Sequence, residues 1–479
     1  MALATTMRIR KLLLPVACAI FMAATAPAAA AAPSTQAEIG TALAAVVDRI
    51  AEQYVDPVDA RTLSVQGLRG LDALAANAPP EQGQARRRAI GRAIQAEETA
   101  AGVAAQTGIV ADEIMRFPAG AERDAALEAA LRAMMTSLGP YNRLASPAEM
   151  APPPASVGLE LSRRDDALTV VRPLPGSPGE RAGIQPGDVI LSIDGRPAKD
   201  LPLPEAVALL RGAPGSSPAL EIRRAGAAQA LVVHPVRGPV QPPPSLRWTL
   251  HGDVAVIGIR AFDNTTQENF RVAIRAAALR ADTSLGGLVL DLRGNAGGLL
   301  DVAQALGGML LPPGLRIATL RGRTEANARR LVARQQDVVE GLPMVVLVDS
   351  RTGAGAEIVA AALQDHGRAL LIGQKTAGAG TIQTVLPLPD GLGAMVLTTA
   401  RVYRPNGARI ETAGVTPDLL LDPATGQLTV RTDLAPDFNE TLAKHVAEAL
   451  ASAPPGSDLA QAAALAAIPD TRAGGGTPR

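Results

Sequence analysis

The sequence predicts an α/β multidomain chain: a helical N-terminal region, then a small strand-rich module, then an α/β layer domain. Three observations predict it. Ile39, Leu43, Val46, Val47 and Ile50 recur at helical spacing near the start. Proline-rich stretches at 152–154 and 239–244 set off a segment of short alternating strands. Beyond them, apolar runs of strand length alternate with helical stretches up to about residue 421, the pattern of a layered α/β domain.

At 479 residues the chain has room for two or three domains. Hydrophobic residues make up 47% but aromatics only 2%, so Ala, Leu and Val must fill the cores. The formal net charge is zero and no basic stripe stands out, which argues against nucleic acid as a partner.

Residues 1–32 read as an export signal. Arg8, Arg10 and Lys11 precede an apolar stretch, 12–24, that is short for a bilayer span, and 26–32 offers A-x-A cleavage sites. This places the chain in the periplasm or cell envelope. The alternative is an uncleaved anchor, which would keep it beside the membrane. Cys18, the single cysteine, lies inside the apolar stretch, so the processed chain has no disulfide and no thiolate metal site. His234, His251, His366 and His445 are scattered, and no His/Asp/Glu cluster has metal-ligand spacing. No metal or cofactor is expected.

The elements follow in order. Region 33–151 is Ala-rich, with helices from about 36 and over 125–138; 78–120 holds a Pro-Pro break and an Arg86, Arg87, Arg88 run, and reads as a helical insertion with the arginines on a solvated face. Region 156–238 has strands at 168–171, 189–193 and 219–223 and a helix at 203–210. Region 245–425 has strands at 254–259, 287–291, 344–348 and 369–372, with helices at 266–279, 301–309 and 356–364. In 426–479 a helix at 439–451 leads into a Gly/Pro/Ala tail expected to be disordered.

The string GSPGERAGIQPGDVILSIDG, 176–195, resembles a PDZ domain of the bacterial protease type, a PDZ-like β-barrel. Gly183, Gly187 and Gly195 sit where its turns need positive φ. Val157, Gly158, Leu159 and Glu160 match the carboxylate-binding loop of such domains. The resemblance implies that backbone N–H groups there cradle a free C-terminal carboxylate. The peptide would add as a strand along 158–162, past Leu161. Helix 203–210, with Ala206 and Leu210, would line the pocket for its last side chain. The bland alternative is a PDZ that only braces the fold.

Three strings extend the resemblance: GLVLDLRGNAGGLLDVA at 287–303, MVVLVDSRTGAGAEIVAAALQDHGRALLIGQKTAGAGTIQTVLPLPDG at 344–391, and LTTARVYRPNGARIETAGVTPD at 397–418. With YVDPVDARTL at 54–63 and LGPYNRL at 138–144, they are similar to the carboxyl-terminal processing, or tail-specific, peptidases. That family has the same order of helical region, PDZ domain and α/β protease core. The likeness covers nearly all of the processed chain except the insertion and the tail.

The family's chemistry is a Ser–Lys dyad, the serine in an S-A-S-A-S-E-I run and the lysine in a later T-F-G-K-G string. The lysine must be buried and neutral to accept the serine proton. Here the runs read T-G-A-G-A-E-I, 352–358, and T-A-G-A-G, 376–380, so the nucleophile position is Ala354 and the base position Ala379. Losing a serine nucleophile costs on the order of a millionfold in turnover. A bare oxyanion hole retains roughly 10³–10⁴ over water. Gly297, Gly298 and Gly355 remain as candidate oxyanion donors, although N-A-G-G at 295–298 departs from the family's usual N-P-G-G. Gln383, which the family pattern uses to orient the lysine, is retained.

The resemblance therefore implies a pseudopeptidase that binds polypeptide C-termini or unfolded tails, alone or beside an active paralogous peptidase. One alternative is an active serine-type peptidase rewired onto Ser350, Thr352 and Lys375. Another is a structural envelope protein in which the PDZ module binds nothing.

Overall fold

The computed structural model describes residues 34–76, 84, 87–88, 90–91, 93–95 and 102–473, apart from 151–154, 165–166, 241–244, 282–283, 340, 389–391, 423–424, 431–435 and 455. The export signal, Arg86 and most of the segment around it lie outside the described residues.

Helix α1 (Gln36–Gln53) starts at a capping box: Thr35 Oγ1 accepts the Glu38 N–H at 3.3 Å, and the Glu38 carboxylate accepts the Thr35 N–H at 3.0 Å. It buries the five residues that the spacing picked out, Ile39, Leu43, Val46, Val47 and Ile50. α2 (Ala60–Ala76), α3 (Val103–Met115) and α4 (Ala121–Ser137) complete the bundle. The insertion reading needs correcting for its second half. Val110, Ala111 and Ile114 of α3 are fully buried in the same cluster as α1, α2 and α4, so this helix is part of the bundle core. Arg87 and Arg88 are exposed.

Strand order in the second module is β2 (Leu159–Arg164), β3 (Ala167–Pro173), β4 (Val189–Ile193), β5 (Leu220–Arg223) and β6 (Leu231–Val233), so β2 is an edge strand. Helices α5 (Pro178–Arg181) and α6 (Leu203–Leu209) pack with it. Gly183, Gly187 and Gly195 all have positive φ.

The third unit is a seven-stranded sheet in the order β7 (Leu246–His251), β8 (Val254–Ile259), β9 (Gly287–Asp291), β12 (Met344–Val348), β13 (Leu370–Gly373), β16 (Leu419–Leu421), β17 (Leu428–Val430). β8, β9, β12, β13 and β16 run parallel. That explains their continuous apolar sequences, because both sheet faces are covered. One face carries α7 (Thr266–Arg280), α8 (Leu300–Leu310) and α9 (Gly355–Asp365). Ala356, Ala360, Ala361 and Ala362 of α9 are buried, the small-residue packing that an aromatic-poor chain requires.

A second sheet is built from β1 (Arg143–Ala145), β10 (Arg316–Gly322), β11 (Arg329–Val332), β14 (Thr381–Pro387) and β15 (Ala394–Tyr403). Its Met395 and Leu397 belong to the helical bundle's core. Polar ties reinforce this junction: the Val55 N–H donates to Thr398 O at 3.0 Å, the Thr398 N–H to Asn142 Oδ1 at 2.7 Å, and Arg401 forks onto Asp56. The helical region is thus fused to the core.

The C-terminal tail expectation is also corrected. After α10 (Pro436–Ser452), residues Leu459–Ala473 form a second helix, α11. It buries Ala463, Ala464, Ala467 and Ile468 on the other face of the parallel sheet. The signal was present as apolar residues at i, i+1, i+4 and i+5 of a helical stripe, but small alanines gave it little contrast.

Candidate functional site

Three loops leave the carboxyl ends of adjacent parallel strands β9, β12 and β13, where open α/β sheets place their sites. The first, after β9, is folded by Asn295, which is fully buried. Its Nδ2 donates to Ile259 O at 3.0 Å, its Oδ1 accepts the Gly297 N–H at 2.8 Å, and its backbone O accepts the Gly353 N–H at 2.9 Å. Gly297 and Gly298 follow with φ of 102° and 137°. Gly298 passes so close to β8's exit that a Cβ on it would lie 2.2 Å from Phe262 O.

The second loop, after β12, is pinned by Asp349, whose Oδ1 accepts the Gly294 N–H at 2.9 Å and the Arg351 N–H at 3.0 Å. Burial alone would raise the Asp349 carboxyl, but these amides outweigh it and hold it below the ordinary range. The loop ends at Ala354, the N-cap of α9, with φ 46° and ψ −116°. Only glycine takes this conformation without strain, and such an outlier marks a position whose geometry the surroundings impose.

The third loop, after β13, returns Ala379 to the same place. The element that joins them is Glu357, fully buried in the first turn of α9. Its Oε2 accepts the Ala354 N–H at 2.9 Å and the Ala379 N–H at 2.8 Å. Its Oε1 accepts the Gly378 N–H at 2.7 Å and the Thr376 hydroxyl. One carboxylate oxygen therefore holds the amides of Ala354 and Ala379 together. Burial raises the Glu357 carboxyl above its ordinary range, and the four donors pull against that. The Thr376 hydroxyl also accepts the Val415 N–H, so its single proton points to Glu357 and all four partners are donors. The pocket is shaped for a carboxylate at the positive end of α9.

The other sequence candidates separate. Gly297 does not serve as an oxyanion donor, because its amide is taken by Asn295 Oδ1. Among the described residues, no protein acceptor takes the Gly298 or Gly355 amide, so these two remain available. Gln383, on β14, is turned onto Thr381 Oγ1 at 2.6 Å. Thr352 is fully buried and structural: its hydroxyl donates to Leu292 O at 2.9 Å and accepts the Asp349 N–H at 3.0 Å. Ser350 and Lys375 are both exposed, so Lys375 lacks the burial a lysine base needs. The sequence marks Glu357 and Thr376 only as members of the two family-like strings, and gives no signal for Phe262. The position of Glu357, three residues after the N-cap, is the acidic half of a capping box and was the available signal.

In the PDZ module, the expected carboxylate loop is partly self-satisfied. The Val157 N–H donates to Leu210 O at 3.3 Å and the Gly158 N–H to Ser156 Oγ at 3.3 Å. Ala206 and Leu210 lie in the module's core with Val157, so the pocket expected between them is filled in this state. Leu159 and Leu161 are half-buried against that core, and Glu160 is exposed and paired with Arg172.

Comparison with known proteins matches residues 253–421 to the model of peptidase family S41 and residues 169–224 to a PDZ domain. A carboxyl-terminal-processing protease from Picosynechococcus is 33% identical over 309 residues, covering 62% of this chain and 73% of that protein. The chain belongs to peptidase family S41. Other S41 relatives are the carboxy-terminal-processing protease of Bartonella bacilliformis (35% identical, 56% of this chain, 61% of that one) and carboxy-terminal processing protease CtpA of Bacillus subtilis (32%, 55% of each). The chain thus spans only 55–61% of the length of these two. A solved photosystem II D1 C-terminal processing protease is similar at 24% identity and TM-score 0.45, covering 80% of this chain and 93% of that one.

The strain at Ala354 gives a direct prediction. Relief of about 1–3 kcal/mol of backbone strain, offset by about 0.5–1 kcal/mol of added chain freedom, leaves Ala354→Gly stabilising by about 1 kcal/mol. Urea unfolding followed by circular dichroism checks it; a lower midpoint would show that the alanine methyl contributes packing the geometry does not reveal.

Proposed function

We propose that this S41 chain is a pseudopeptidase: an exported protein that binds polypeptide C-termini through its PDZ module and protease groove without cutting them. One observation carries the reading. Glu357 holds Ala354 and Ala379 together; the family resemblance puts nucleophile and base at these two positions, and neither side chain can attack a carbonyl or take a proton. The exposed edge of β2 supports strand addition by a peptide, and the unclaimed Gly298 and Gly355 amides support polar capture of backbone. Proximity to an active paralogous peptidase fits the same reading, because an inert groove can hold a tail for another enzyme.

Calorimetry on the full chain tests binding. A peptide ending in small apolar residues with a free carboxyl should bind, and the same peptide amidated at its C-terminus should bind about tenfold or more weakly, since charge-assisted bonds to a carboxylate are lost. Equal binding of the two would remove C-terminal recognition from the account.

A further inference from the structure

We propose that the outer face of the second sheet, around Tyr403, docks an acidic stretch of the polypeptide whose tail the chain holds. This rests on the reading that the chain binds polypeptide tails, and adds what it selects upstream of them. The sheet has two unlike faces. Ala318, Leu320, Leu331, Ala400 and Val402 pack into the core of the α/β layers. Steps of two along β15 put Met395, Leu397, Thr399, Arg401 and Tyr403 on the other face. The helical bundle covers Met395 and Leu397. Past the bundle, strand register decides what lines the face. Arg321 on β10 lies opposite Arg401, and Thr319 lies between Tyr403 on one side and Arg330 of β11 on the other. Arg409 bridges to Tyr403 from the far side. Four arginines therefore surround one tyrosine.

Their charges are unbalanced. Arg401 forks onto Asp56 and donates to Glu411 at 2.8 Å, and Arg409 shares Glu411. Arg321 lies over the Tyr403 ring, 4.2 Å from its centre, and both Arg321 and Arg330 are exposed. Among the described residues neither has a carboxylate partner. Like charges directly opposite each other in a sheet are destabilising, so setting Arg321 against Arg401 is a cost. Arginines on an edge strand guard against unwanted strand pairing, which accounts for Arg330. It does not account for Arg321, whose strand is paired on both sides. No basic stripe marks this face in the sequence, because only the β10–β11 hairpin brings Arg321 and Arg330 to the same surface.

An extended acidic segment fits this face. Guanidinium forks match carboxylates, and the tyrosine ring offers an apolar body beside them. The face is also continuous with the candidate site. Thr381 of β14, opposite Arg401, follows Ala379 by two residues. Two strand spacings of about 4.8 Å separate β14 from β10, so Arg321 lies roughly 10 Å across the sheet, the length of about three extended residues. A polypeptide held near Ala379 can therefore lay its upstream residues against Arg321 and Arg330.

The experiment uses the full chain and labelled peptides that end in the same small apolar residues, preceded by a run of either Glu or Gln. Affinity is read by fluorescence anisotropy. The Glu peptide should bind about fivefold more tightly, a modest gain because exposed ion pairs each contribute little. The difference should shrink in about 1 M salt. Arg321→Gln/Arg330→Gln should remove it and leave the affinity for the Gln peptide unchanged, with thermal unfolding confirming that the variant folds. Equal affinities of the native chain for the two peptides, or a preference that persists in the double variant, would overturn the proposal. Vesicles of phosphatidylglycerol are tested in parallel: binding that the double variant loses, with no preference between the peptides, would assign the face to lipid headgroups instead. An amidated Glu peptide that binds as well as the free acid would remove C-terminal recognition and leave the role of this face standing.

Discussion

Replacing Glu357 with alanine is expected to destabilise the protease-like core by about 4 kcal/mol, read as a drop on the order of 10 °C in its thermal transition. The reason is an accounting of donors. Three backbone amides, from Ala354, Gly378 and Ala379, and the Thr376 hydroxyl all end on this one carboxylate. A buried donor left without a partner costs about 1–3 kcal/mol, and entry of water offsets part of the total. Glu357→Gln separates charge from shape. Its amide oxygen can replace only one carboxylate oxygen, and its NH₂ then faces two N–H donors, so it should recover less than half of the loss. A transition unchanged by Glu357→Ala would show that the loops carrying Ala354 and Ala379 are held by other contacts.

The second large effect is expected at Gly298. An alanine there would set its Cβ 2.2 Å from Phe262 O, against backbone that cannot swing away, in a φ of 137° that side chains avoid. Phe262 is itself fixed on both sides, its N–H donating to Gly297 O at 2.8 Å and its O accepting the Leu299 N–H at 2.9 Å. Gly298→Ala should therefore cost about 3 kcal/mol and displace the loop that carries one of the two unclaimed amides. Gly108→Ala is the matched control. Gly108 lies inside α3 with nothing near its would-be Cβ, so alanine there should stabilise by roughly 0.5–1 kcal/mol. If both substitutions behave alike in urea unfolding, the tight approach of Gly298 to Phe262 is not a constraint.

The sequence made the layered core legible because buried parallel strands are nearly pure apolar runs: the strands at 254–259, 287–291 and 344–348 have the extents that the pattern marks. It hid β14 and β15, whose alternation is blurred by Thr381, Thr384, Thr398 and Thr399, residues buried or half-buried despite their hydroxyls. It also hid α11, where small alanines do the packing that larger residues would advertise. At the site, the resemblance to the family strings located Ala354 and Ala379. The carboxylate that ties them together was marked only by its place three residues after the helix N-cap; that its donors come from two separate loops is set by tertiary packing. The filled state of the PDZ groove was unreadable for a similar reason. It depends on Val157 meeting Leu210 and Arg163 meeting Ala198, contacts set by tertiary packing.

The central claim is that the native chain cannot cut peptide bonds because positions 354 and 379 lack a nucleophile and a base. The most direct measurement is a cleavage time course on an unstructured polypeptide ending in small apolar residues, read by mass spectrometry. The native chain is compared with Ala354→Ser/Ala379→Lys. The account predicts no products from the native chain and accumulating fragments from the double variant, whose new side chains stand on amides already held by Glu357. Cleavage by the native chain that survives further purification and disappears on Ser350→Ala, Thr352→Val or Lys375→Met would contradict it.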